Sequence, residues 1–132
     1  MRRPLRESVA WSPDIAYVVG LITTDGCLSP DRRHIDFTSN DRSQIENVKK
    51  CLGLKNRIVK KYSGFTKKFS SLHIQFGDVT LYRWLISIGL MPNKSKRIKS
   101  LKIPDKLFFD FLRGHMDGDG TILKDLIQLP KF

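Results

Sequence analysis

Two stretches of this sequence end alike. Gly20-Leu21-Ile22-Thr23-Thr24-Asp25-Gly26 and Gly114-His115-Met116-Asp117-Gly118-Asp119-Gly120 both read G-x-x-x-x-D-G, 94 residues apart. Each is followed by a small residue and an aliphatic one, Cys27-Leu28 and Thr121-Ile122. A single D-G after a helix usually marks a turn, and two helix-ending turns are the plainer reading of Asp25 and Asp119. The repetition points further. Ala16, Gly20 and Thr24 fall at i, i+4 and i+8 on one helical face, and Asp110, Gly114 and Gly118 take the matching places in the second copy. Small residues there let two helices pack backbone to backbone. Helices paired side by side and running the same way would bring Asp25 and Asp119 together. Ionised carboxylates at close range repel, and the partial negative charge of helix C-termini adds to the conflict. A divalent cation resolves it. Carboxylate and carbonyl oxygens suit Mg²⁺, which also keeps waters and phosphate oxygens in its shell. Mg²⁺ between paired carboxylates and a phosphodiester is an arrangement for metal-assisted phosphoryl hydrolysis.

The composition fits a polyanionic substrate. The chain has 132 residues, 24 Lys+Arg and 13 Asp+Glu, for a formal charge of +11. That length allows one modest domain, or one domain and the start of another. Hydrophobic residues make up 40%, enough for a core and against general disorder. No apolar run approaches the ~18 residues that span a bilayer, and no apolar stretch with a cleavage site follows Met1-Arg2-Arg3-Pro4, so neither membrane nor secretory leader is expected. Cys27 and Cys51 make neither a disulfide framework nor a zinc cluster, so a reducing cytoplasm is the default, or an organellar matrix if the host gene is organellar. The charge is concentrated: Asn47 to Pro104 holds 14 Lys+Arg and one acid, Asp78. A solvated surface tuned for solubility does not require a block this long and this poor in acids. Nucleic acid is the expected partner.

The elements that must position these residues can be read in order. A basic arm, 1–12, precedes Ser12-Pro13-Asp14, a helix start with Ser12 as cap. An apolar helix over Ile15 to Thr24 stops at Asp25-Gly26. Cys27 to Ser39 reads as a hairpin turning at Ser29-Pro30-Asp31. Asn40 or Asp41 caps a second helix, with Ile45, Val48 and Leu52 apolar and Gly53 ending it. Asn56 to Tyr62 and Phe69 to Phe76 are strands around the loop Ser63 to Lys68, and Val79 to Ile88 is a third helix closed by Gly89. A Lys/Arg-rich connector, Met91 to Pro104, leads to a fourth helix from Asp105, in which Phe108, Phe109 and Phe111 are expected in the core. The order is α-β-β-α-β-β-α, then another α. The expected divisions are a half-domain with its connector over 13–104 and, over 105–132, a second signature helix opening an incomplete repeat.

With the order in place, Val18-Val19-Gly20-Leu21-Ile22-Thr23-Thr24-Asp25-Gly26 and Leu112-Arg113-Gly114-His115-Met116-Asp117-Gly118-Asp119-Gly120 resemble the two signature helices of LAGLIDADG homing endonucleases. The run Leu90-Met91-Pro92-Asn93-Lys94-Ser95-Lys96, Ile103-Pro104 and Phe111-Leu112-Arg113-Gly114 is similar to the connector of single-chain members, so the resemblance covers about residues 13–122. It implies an α+β half-unit with a curved antiparallel sheet, plus the first helix of a second repeat. It implies a site-specific DNA endonuclease, with an intron, an intein or a free-standing gene as the open alternatives for its origin. By the same resemblance Asp25 and Asp119 are the catalytic, Mg²⁺-holding acids, with Gly26 and Gly120 beside the metal, and double-stranded DNA is the partner. Ala16, Gly20, Thr24, Gly114 and Gly118 serve helix packing. Asp117 matches Thr23 in the first copy and receives no catalytic role. His115 reads as a packing or surface residue.

An antiparallel sheet buries one face and exposes the other. The exposed faces carry His34, Asp36 and Thr38 in the hairpin and Ser71, His73 and Gln75 in the later strand, side chains suited to base edges. Arg32, Arg33, Arg57, Lys60, Lys61, Lys67 and Lys68 suit phosphates and hairpin tips. The facing of Asn56 to Tyr62 is ambiguous, so Lys60 and Lys61 cannot both point into a groove.

The sequence departs from the family in two ways. Many members carry a Lys near the end of the fourth strand, where this chain reads Gln75-Phe76-Gly77-Asp78. A two-motif chain is also expected to continue for about 80–100 residues beyond its second motif, and only Thr121 to Phe132 follow Gly120. A fragment, a degenerate product, and a unit completed by self-association or by a separate second half are the alternatives. Non-cleaving recognition of DNA or RNA, as in a maturase or regulator, is the second functional expectation. A generic basic α+β factor with Asp25 and Asp119 far apart is the third.

Overall fold

The computed structural model describes residues 7–62, 69–92 and 101–118. Helix α1 spans Pro13–Asp25. Ser12 is extended and its hydroxyl accepts from the Ile15 N–H at 3.1 Å, while Pro13 occupies the first turn, where a missing N–H costs nothing. Strands β1 (Gly26–Leu28) and β2 (His34–Ser39) form the hairpin, followed by α2 (Arg42–Leu52), β3 (Val59–Tyr62), β4 (Phe69–Gly77) and α3 (Val79–Ile88). Asp41 caps α2 and Asp78 caps α3, each through a backbone N–H. Gly53 ends α2 with φ 67°, a left-handed conformation that glycine adopts without a Cβ penalty. The last segment opens as a 3₁₀ turn, Asp105–Leu107, before α4, Phe108–Gly118.

The four strands form one antiparallel sheet in the order β1-β2-β4-β3. Leu28, Ile35, Phe37, Ile74 and Phe76 point to one face and are buried against Val18, Leu21 and Ile22 of α1, Ile45 and Val48 of α2, and Leu81, Tyr82 and Leu85 of α3. The period-2 alternation seen in the sequence is thus the alternation between a helix-covered core face and an open polar face. The expected α+β half-unit with one antiparallel sheet is what the chain adopts.

Two readings change in detail. The third strand begins at Val59 rather than at Asn56, whose side chain instead donates to the Gln75 carbonyl at 3.1 Å. The phenylalanines of the fourth helix are not all core: Phe111 packs on the core, but Phe108 is 45% and Phe109 73% exposed. Among the described residues of α4, Gly114 is the buried one, where the helix meets α1. Trp11 and Trp84 meet edge to face with centroids 4.8 Å apart, which accounts for both by packing.

Candidate functional site

Helices α1 and α4 lie in contact and run the same way. A Cβ built on Gly114 would sit 2.0 Å from the Tyr17 carbonyl oxygen, and one on Gly20 would sit 2.1 Å from that of Phe111. Neither distance leaves room for a methyl group, so glycine at both places is what lets the backbones touch. One turn further on, a Cβ on Gly118 would meet Thr24 Oγ1 at 1.8 Å and lie 3.4 Å from Asp25 Oδ2. Ala16 is fully buried. Contacts therefore step from Tyr17 with Gly114 to Thr24 with Gly118, and the C-terminal ends of both helices arrive together. Gly26 follows in extended conformation, its N–H bonded to the Ile22 carbonyl, with Ile22 too close for any side chain. Asp119 and Gly120 lie outside the described residues.

Polar side chains tie this junction to α2. The Tyr17 hydroxyl donates to Asp117 Oδ2 at 2.8 Å and accepts from Asn47 Nδ2 at 3.3 Å. The Gln44 amide donates to the Asp117 carbonyl. Burial, then the bond to Asp117, pushes the Tyr17 hydroxyl up to about 12 from its ordinary 10.0. The Arg113 guanidinium lies over the Tyr17 ring at 4.5 Å. Thr23 donates to the Gly20 carbonyl at 2.6 Å and contacts His115 Nδ1 at 2.8 Å, so His115 is a packing residue between the helices.

An open cleft of about 520 Å³ lies at these helix ends, lined by Asp25, Asp117 and Gly118 from the helices, by Thr38, Ser39 and Ser71 from the sheet, and by Asn40, Asp41 and Gln44. Sequence reasoning set Asp117 aside, yet it lines the same cleft as Asp25. The signal was present in Tyr17: it brings a hydroxyl into an otherwise apolar helix face, and a buried hydroxyl needs a partner. No group of three or more acids, histidines or cysteines suited to a metal is formed among the described residues. The hard oxygen donors at the helix end nonetheless have the chemistry that Mg²⁺ prefers.

The open face of the sheet joins this cleft. Register sets Asp36 opposite Gln75, Thr38 opposite His73, Val59 opposite His73 and Lys61 opposite Ser71. Lys61 therefore shares the open face with Thr38, Ser71 and His73, whereas Lys60, opposite Leu72, points the other way. A register shift follows between Lys61 and Tyr62. Arg32 and Arg33 are exposed at the hairpin turn, where Arg32 has φ 62°. Asp31 organises that turn by accepting from the N–H groups of Arg33 and His34 and from the His34 ring at 2.6 Å. These bonds, the His34 backbone first, hold its carboxyl well below the usual range. Arg57 is exposed ahead of β3, and Lys67 and Lys68 lie outside the described residues.

No helix among the described residues is long and apolar enough to cross a membrane. A search of curated proteins finds no match. The model of the LAGLIDADG-like domain matches residues 12–82, which takes in α1, the whole sheet and α2. That match takes in more than half of the chain, which belongs to the LAGLIDADG family of homing-endonuclease-like proteins.

Proposed function

We propose that this chain acts on double-stranded DNA as a site-specific endonuclease of homing type, hydrolysing phosphodiesters with Mg²⁺ or another divalent cation. The observation that carries the reading is the cleft shared by Asp25, Gly118 at the end of α4, and the sheet residues Thr38 and Ser71. A duplex lying along the open sheet face would pass the helix ends, with its phosphates beside Asp25. Asp25 and Asp119 would hold the cation, whose chemistry is to polarise the phosphodiester and acidify a water. The chain's own work is placement. Gly20, Gly114 and Gly118 bring the helices to contact distance, Arg32, Arg33 and Arg57 engage phosphates, and the polar strand residues meet base edges.

The experiment compares nicking of long duplex substrates with Mg²⁺ by wild type, Asp25→Asn and Asp119→Asn, alongside gel-shift affinity. Loss of cleavage by about a hundredfold or more with binding retained is expected. Equal nicking by all three proteins removes the proposed roles.

A second reading, recognition of DNA or RNA without cleavage, draws on the end of β4. There Gln75 and Gly77 stand where a catalytic-pocket lysine would be, and Asp78 is 6% exposed and used as the cap of α3, accepting from the Leu81 N–H at 2.9 Å. Tight binding with no metal-dependent cleavage favours it. Self-association, or a separate second half, belongs to either reading and is measured by solution mass with and without DNA.

A further inference from the structure

Asp36 is the only acidic residue within the four strands, and it sits on the open face of the sheet. Its carboxylate gathers side chains from three strands. Thr38 Oγ1 donates to Oδ1 at 2.9 Å, Lys61 Nζ lies 3.7 Å from Oδ1, and His73 Nδ1 lies 2.9 Å from Oδ2. Lys61 also donates to Thr38 Oγ1 at 2.9 Å, so its side chain crosses β4 to reach β2. An isolated surface ion pair contributes little stability, and solubility does not call for an acid at the centre of a basic sheet. The cluster is built to hold something in place.

What it holds is the His73 ring. An ionised carboxylate only accepts hydrogen bonds, so the His73 nitrogen facing Asp36 carries the proton, and Nε2 of the neutral ring is left as an acceptor. His73 lies mid-sheet, opposite both Thr38 and Val59, with its side chain 19% exposed. In the major groove an acceptor finds two complements, the exocyclic amines of adenine N6 and cytosine N4, while guanine and thymine present acceptors there. Resting on the reading of this sheet face as the DNA contact, we propose that His73 reads a major-groove exocyclic amine through Nε2, and that Asp36 is the positioning residue that sets its tautomer. Replacing the carboxylate by an amide supplies an N–H donor toward Nδ1. The ring proton then moves to Nε2 and the reader becomes a donor, which suits guanine or thymine.

The test is selection of duplexes from a random library by the full chain, at about pH 8, where histidine is ordinarily neutral. Wild type, Asp36→Asn, His73→Ala and His73→Gln are compared. Wild type is expected to prefer adenine or cytosine at one position. Asp36→Asn weakens that preference or turns it toward guanine or thymine, His73→Ala abolishes it, and His73→Gln, which keeps a carbonyl acceptor, retains part of it. Preferences at other positions are unchanged. Placing purine for the chosen adenine, or 2-pyrimidinone for the chosen cytosine, deletes the amine alone and separates the two bases. Wild type should lose about tenfold in affinity on that change, and His73→Ala nothing. Identical preferences in all four proteins overturn the proposal, as does a uniform loss at every position in variants that melt like wild type. A wild-type protein that selects no sequence overturns it differently, by removing the DNA reading beneath it.

Discussion

Tyr17 brings the only polar side-chain atom into the stretch Ile15 to Ile22, and that atom does two things. It satisfies Asp117 and it takes a bond from Asn47. Tyr17→Phe should cost about 1 kcal/mol at neutral pH, measured by urea unfolding. Its pH dependence has a definite sign. The folded hydroxyl ionises near 12 instead of 10.0, so the folded state keeps a proton that the unfolded chain gives up first. The contribution is complete below pH 10 and is lost as the pH rises through 12. Wild type should therefore lose its advantage over Tyr17→Phe across that window, and a constant gap contradicts the assignment. At this scale the sequence was only partly legible. Asp25 stands out by repetition, but Asp117 does not, because its partners Tyr17 and Gln44 lie 100 and 73 residues away in the chain.

The pairing of α1 with α4 rests on backbone contact at glycine. Gly114→Ala would place a methyl group 2.0 Å from the Tyr17 carbonyl oxygen, and backbone cannot turn aside as a flexible side chain can. The helices must separate, at a cost of about 1–3 kcal/mol, with a lower melting temperature and a displaced Asp25. Gly53→Ala is the contrast. Nothing lies within 4 Å of its Cβ position, and only the positive φ of 67° resists the change. It should cost about 1 kcal/mol and leave cleavage and binding as they are. Thermal melts with parallel nicking assays separate the two. Element existence was readable because caps and periodicity are local: Ser12-Pro13, Asp41, Gly53 and Gly89 all mark ends where the structure has them. The facing of β3 was not, since Lys60 and Lys61 are adjacent and both basic, and only the register with β4 chooses between them.

Over the whole molecule, charge is arranged by region. The acid-poor block from Asn47 to Pro104 supplies much of the basic side chain content, while Asp25 lies outside it at a helix end. Binding to duplex DNA through ~6 phosphates should give a log–log salt slope of about −5. A slope near zero, measured by titration at several salt concentrations, would leave the charge without this role. By itself the sequence determined the order of elements, their caps, the two acid-ended motifs and the family, because these depend on neighbours a few residues apart or on composition. The tertiary structure decided the rest: that α1 and α4 meet through glycine, that Asp117 lines a cleft with Asp25 and the sheet, that Lys61 and His73 converge on Asp36, and that Phe108 and Phe109 stay exposed. Each of these is a contact between residues far apart in the chain, or the absence of one, and local propensity carries no record of it.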